Sequence, residues 1–187
     1  MGICVTIDGF LAPYASVVMI NCTVTDNGAV GEGDGVYVRA DTQPILTIKS
    51  SIIWNNNPLK SDTNAIANIR ERGNTTLRIS YSDYDRVRSS GDGIVDVGGQ
   101  LTADPLFANT TNGDFHLKSE FGRTTPSGNV VYDPVTSPCV DAGDPADPCE
   151  DEPQSDPCRI DMGGYGGTSE ASGNLGGIPA GLLFIVK

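Results

Sequence analysis

One short strand-like segment recurs three times along this chain, and that recurrence constrains the fold more than any other property. Aligned on a central isoleucine, the copies are VVMINCTVTDN around Ile20, ILTIKSSIIWNN around Ile48 and TLRISYSDYD around Ile79. The steps from Ile20 to Ile48 and from Ile48 to Ile79 are unequal, the second being the longer, and both are of about 30 residues. A strand recurring at an uneven period of this size marks a solenoid, in which each turn of chain stacks on the last. Strand side chains alternate between two faces. Alternation places Val18, Ile20, Cys22 and Val24 on an inner face and Met19, Asn21, Thr23 and Thr25 on an outer one. It divides the second copy into Leu46, Ile48, Ser50 and Ile52 against Thr47, Lys49 and Ser51. The third becomes Leu77, Ile79 and Tyr81 against Arg78, Ser80 and Ser82. Stacked, the copies predict an interior isoleucine column and an outer face of small polar residues, the pattern of an all-β, parallel β-helix.

A second strand keeps step with the first. Gly35–Val38 and Ala65–Ile69 set Val36 against Ile66 at a spacing close to the main period. The turn-rich segments Thr25–Gly28 and Trp54–Pro58 fall in equivalent places. Asn27 and Asn55 then either stack as an asparagine ladder or supply left-handed turn conformations. About three coils are expected over residues 1–112, with residues 113–187 forming an irregular, loop-rich cap and tail packed on them as one unit.

The 23 glycines and 12 prolines argue for many turns, and no window shows a 3.6-residue apolar period. The net charge of −12 repels nucleic-acid phosphates and anionic membranes, so neither is an expected partner. The first twenty residues lack a basic leader and contain Asp8, unlike a signal peptide. The apolar tail, Ile178–Val186, is too short to cross a bilayer. Ile3–Phe10 reads as a strand with no cap before it. It suggests a piece of a longer protein, or an open coil covered by a second copy in a two-fold homodimer. The apolar Gly181–Val186 segment offers a second route to self-association. Five cysteines leave at least one unpaired. Cys22 reads as a small inward hydrophobe. Cys149 and Cys158, in matching Asp-Pro-Cys tripeptides, leave open a disulfide, which would suit an exported protein.

From Ile79 onward the order ISYSDYD, ADPLFAN, GDFHLKS, SPCVDAGDP and DMGGYGGTSEAS resembles the C-terminal part of secreted bacterial β-helix proteins of the pectin-lyase-like group. The resemblance covers residues 17–171 and implies a right-handed β-helix, closed by the ADPLF and SPCVDAGDP motifs, in a secreted or cell-surface protein. It also implies that glycans are candidate ligands and polysaccharide lyase or hydrolase action on an acidic glycan a candidate activity.

The residues weigh that activity. A lyase needs a base for the proton α to a uronate carboxylate and a cation for the charge that develops. Lys49 and Arg78, on neighbouring coils about 5 Å apart, offer the cation. With Asn21, Thr23, Ser51 and Ser80 they compose the expected outward ligand-binding face. His116, the only histidine, is expected to point outward from a short strand, and no nucleophile motif accompanies it. Asp141, Asp144 and Asp147 open an acidic run that could wrap Ca²⁺, although the spacing is not that of a calcium loop; no other cofactor is suggested. Gly163–Gly167 lacks the context of a phosphate loop and is expected to turn the chain against the final coil. No convergent set of acid, base and metal is visible, so no catalytic residue is assigned. The sequence favours a non-catalytic module with a carbohydrate-binding, adhesive or assembly role.

Overall fold

The repeated segments become strands of parallel sheets. The computed structural model describes residues 3–7, 16–27, 35–40, 45–56, 69–73, 76–85, 93–153 and 158–173. Strands β1 (Ile3–Ile7), β2 (Ser16–Ile20) and β3 (Thr23–Thr25) make a first pass of chain. β4 (Val36–Ala40), β5 (Ile45–Lys49) and β6 (Ile52–Trp54) make a second, and β7 (Ile69–Gly73), β8 (Thr76–Ser80) and β9 (Asp83–Tyr84) a third. β10 (Ile94–Gly98) adds one more strand. Corresponding strands pair in parallel, giving sheets ordered β1-β4-β7, β2-β5-β8-β10 and β3-β6-β9. Among the described residues there is no α-helix, and the fold is all-β.

The register corrects the alignment on Ile20. Met19, not Ile20, pairs with Ile48, and Ile48 pairs with Ile79, which makes the two steps of the repeat more nearly equal. Met19 is buried while Ile20 is 49 % and Val18 59 % exposed. Two causes combine. Val17, Val18, Met19 and Ile20 are all apolar, so alternation cannot choose between faces, and a one-residue slip inverts all of them. In addition, one residue between paired strands lies in the left-handed region: Asn21 (φ 48°), Ser50 (φ 49°) and Tyr81 (φ 44°). That residue turns a corner and shifts the phase of the side chains by one. Ser50 and Tyr81 therefore sit at corners rather than in the interior column. Ser51 and Ser82, expected outside, are fully buried. They build a ladder: Ser82 Oγ accepts the Ser51 N–H and Ser51 Oγ accepts the Cys22 N–H, each at 3.1 Å. Each hydroxyl also donates at 2.8 Å to the carbonyl two residues back.

The second strand also differs, because Val36 pairs with Ile69 rather than with Ile66, which lies outside the described residues. The asparagine ladder exists one position along, where Asn56 Oδ1 accepts from the Asn27 side chain at 3.0 Å. Asn55 instead adopts φ 51° and donates to Asp26, itself at φ 53°. Both roles foreseen for these asparagines occur, on adjacent residues.

Two cores result. Between the sheets Met19, Val24, Val36, Leu46, Ile48, Ile53, Leu77, Ile79 and Tyr84 form one apolar cluster. At its foot Asp96 follows Ile79 in the column and accepts the Tyr84 hydroxyl at 2.5 Å, ending the column on a polar group. The second cluster, Ile52, Leu117, Cys139 and Met162, lies between β6 and the C-terminal half. That half carries the antiparallel pair β11 (Phe107–Asn109) and β12 (Asp114–Leu117), then β13 (Arg123–Thr124) paired with β14 (Val130–Val131). The glycine-rich loop packs on the first two passes rather than on the last. Gly163 N donates to Ser50 O at 2.9 Å, Gly164 N to Thr23 Oγ1 at 2.9 Å, and Asn21 Nδ2 to Gly166 O at 2.6 Å. Gly163 (φ 95°) touches β6 and Thr23 so closely that a methyl group would meet Thr23 Oγ1 at 2.8 Å. Cys149 and Cys158 form a disulfide, and Cys22 and Cys139 are free thiols. The Ile178–Lys187 tail lies outside the described residues.

Candidate functional site

The expected outward face is largely occupied by the chain itself. Asn21 and Thr23 are held by the glycine-rich loop, and Ser51 is buried in its ladder. Lys49 does point outward, but its ammonium lies 2.5 Å from Asp147 and 3.5 Å from Asp144. The Asp147 contact raises the pKa of Lys49, fixing it as a cation. Arg78 remains exposed beside Thr47, and Ser80 is half-buried beside Lys49. The structure therefore does not assemble these six residues into an open surface. All three ionic partners are less than a quarter exposed, so the pairing carries more weight than a surface ion pair. Lys49→Ala is expected to cost about 1–2 kcal/mol in a urea titration, because it strands two carboxylates, while Arg78→Ala costs under about 0.5 kcal/mol. Equal effects would show that the acidic loop does not dock on β5.

The acidic residues also regroup. Asp144 and Asp147 face Lys49, whereas Asp141 meets Glu152 and Asp161, with carboxylate oxygens of the three within 4.8 Å of one another. Asp161 is buried and accepts the backbone N–H groups of Asp141 and Ser172, both at 2.9 Å. Glu152 Oε1 accepts those of Asp161 at 2.8 Å and Gly167 at 2.6 Å. Burial is the largest cause raising the pKa of both Glu152 and Asp161, and their mutual repulsion adds to it at Asp161. Calcium takes six to eight oxygens. Glu152 and Asp161 are already committed to four backbone N–H groups, and through Gly167 they pin the glycine-rich loop.

His116 is buried at 2 % exposure, not outward. Its Nδ1 lies 2.6 Å from Asp114 Oδ1, its ring stacks on Tyr165 with centroids 3.8 Å apart, and Glu170 Oε2 stands 3.7 Å from Nε2. Arg123 joins Asp114 at 3.2 Å to Asp133 at 2.8 Å. The alternation that sent His116 outward is real, but β12 is covered on that side by the segment carrying Tyr165.

An open cleft of 330 Å³ lies where the end of β6 meets the Asp104–Thr110 segment and Lys118. Trp54, the only tryptophan, lines it with Thr25, Asn55, Asp104, Phe107 and Lys118. Such a volume falls at the lower end of the roughly 300–1,000 Å³ of small-molecule sites. Phe107 is braced edge-on by Phe115, with centroids 5.7 Å apart. Thr25 Oγ1 is buried with no hydrogen-bond partner among the described residues. An aromatic wall with separate donors and acceptors can hold a ligand rich in hydroxyl groups. The sequence reading missed this cleft because Trp54 fell in a turn-rich segment and Asp104 and Lys118 in motifs read as closing elements. The single tryptophan at a strand end was the available signal.

Neither the curated proteins nor the solved structures contain a match to the chain. A family model described as disaggregatase related matches residues 34–143, more than half of the chain, from the second pass through the Cys139 loop. By that match the chain belongs to the disaggregatase-related family.

Proposed function

We propose that this chain is a carbohydrate-binding module built on a right-handed parallel β-helix of about three coils. In this reading the module is secreted or displayed at a cell surface, and its Trp54 cleft is the binding site. The three parallel sheets, with strands recurring about every 30 residues, support the coil architecture, as does the resemblance to pectin-lyase-like proteins. The cleft carries the functional reading: a half-buried indole beside a buried hydroxyl with no partner among the described residues is a composition that suits sugar rings. The lyase alternative loses one of its two candidate cations, because Lys49 is already engaged by two carboxylates, and keeps only Arg78.

Because Trp54 is the only tryptophan, its emission reports on the cleft directly. Glycan binding is expected to shift that emission, and calorimetry on the same oligosaccharide should give a matching affinity. Trp54→Ala is expected to weaken calorimetric binding by at least about tenfold, the loss of one stacked ring. It should lower the melting temperature as well, because Trp54 packs against the cluster of Ile52 and Leu117, so binding is read well below the unfolding transition. Undiminished binding in that variant would take the site away from this cleft.

A further inference from the structure

We propose that the Trp54 cleft selects an uncharged sugar unit, gripping neighbouring hydroxyls between Asp104 and Lys118, and disfavours uronates; this rests on the carbohydrate reading above. The two groups are mounted on one piece of backbone. Asp104 Oδ1 accepts the Leu106 N–H at 2.9 Å, and the Lys118 N–H donates to Leu106 O at 3.0 Å. Leu106 itself is held at φ 51°, a conformation that a leucine rarely adopts. The Leu106 N–H occupies Oδ1 of the Asp104 carboxylate and leaves Oδ2 as an acceptor. No described residue pairs with the Lys118 ammonium, and Thr25 Oγ1 is buried without a partner among the described residues.

The cleft thus presents an acceptor, a donor and a hydroxyl around an indole. Sugar hydroxyls both donate and accept, so adjacent ones can satisfy all three groups, and charge-assisted bonds to Asp104 and Lys118 are the stronger kind. A uronate carboxylate only accepts. It could use Lys118 but would face Asp104, and Asn55 in the same lining is already bonded to the Asp26 carboxylate at 2.7 Å. Asp104 offsets the single ammonium of the lining, and a chain of net charge −12 repels a polyanion over about 8–10 Å at moderate salt.

The test uses the intact chain and titrates tryptophan emission and heat with maltohexaose, cellohexaose, galactohexaose and hexagalacturonate, at low and high salt. At least one neutral hexasaccharide is expected to bind with an affinity that salt leaves unchanged, and hexagalacturonate at least about tenfold more weakly. Asp104→Asn and Lys118→Met are each expected to weaken the neutral ligand about tenfold or more while the melting temperature holds, as loss of a charged hydrogen bond requires. Tighter binding of hexagalacturonate that fades with salt would overturn the selectivity while leaving the carbohydrate reading intact. Unchanged affinity in both variants would overturn the hydroxyl grip. Silence from every sugar, by heat and by emission, would remove the carbohydrate reading itself.

Discussion

Met19→Lys should cost at least about 3 kcal/mol of stability, while Ile20→Lys, one residue along the same strand, should cost less than about 1 kcal/mol. Met19 lies in the column above Ile48 and Ile79, both fully buried. An ammonium there either stays charged among aliphatic side chains or drives its stem toward the corner, breaking the column. A domain stable by about 5–15 kcal/mol tolerates little of this. Ile20 stands outward beside Lys49 and is half exposed, so a lysine there loses only a modest patch of apolar contact. Urea midpoints of the two variants and the parent decide the matter. Met19→Ala, expected to cost about 2–5 kcal/mol as a core truncation, keeps the comparison measurable if Met19→Lys cannot be purified. If Ile20 variants were the costly ones, the register on Ile20, and not that of the structure, would hold.

That contrast shows what was legible in the residues. The recurrence itself and the stacking of Ile48 on Ile79 could be read, because Leu46, Ile48, Leu77 and Ile79 alternate with polar neighbours such as Thr47, Lys49 and Arg78. The first copy could not be phased, since Val17–Ile20 gives no polar residue to mark the outside. The corner residues were hidden for another reason. Left-handed backbone is cheap for Asn21 but costs Ser50 and Tyr81 free energy, so only one of three equivalent corners carries a residue that announces it. Burial by distant chain was the least legible. Thr23, Ile52 and Asp83 share the outer column of the β3-β6-β9 sheet, although alternation carried straight through the Ser50 corner puts Ile52 inside with Ile48. The C-terminal half covers them, and it likewise claims Lys49 with Asp147 and encloses His116. A site chosen from strand faces was therefore placed where the chain folds back on itself. The Trp54 cleft forms at the border of that covering, where no single motif describes it.

Asp83 turns the same covering into a measurable pH dependence. The carboxyl group is wholly buried; Oδ1 accepts the Ala103 N–H at 3.1 Å and Oδ2 accepts the Cys139 thiol at 3.3 Å. Burial, only partly offset by these two bonds, raises its pKa from 3.8 to about 6. The Cys139 thiol is driven upward as well, by its own burial and by the Asp83 charge, so it stays protonated as a donor. A carboxyl whose folded pKa exceeds its unfolded one binds its proton more tightly when folded. Its contribution is fully present below about pH 4 and is lost as pH rises through about 6. Two pKa units correspond to about 3 kcal/mol, or about 6–12 °C in melting temperature for a chain of this size. Glu152 and Asp161, raised in the same direction, steepen the fall. Asp83→Asn keeps an oxygen for the Ala103 N–H and removes the titration. The stability of the variant minus that of the parent should therefore grow by about 3 kcal/mol between pH 4 and pH 8, whatever constant offset the amide introduces. Because Glu152 and Asp161 titrate alike in both proteins, the difference isolates Asp83. A difference that stays flat across that range would mean that Asp83 is solvated, and that the Cys139 loop does not close over the β3-β6-β9 sheet.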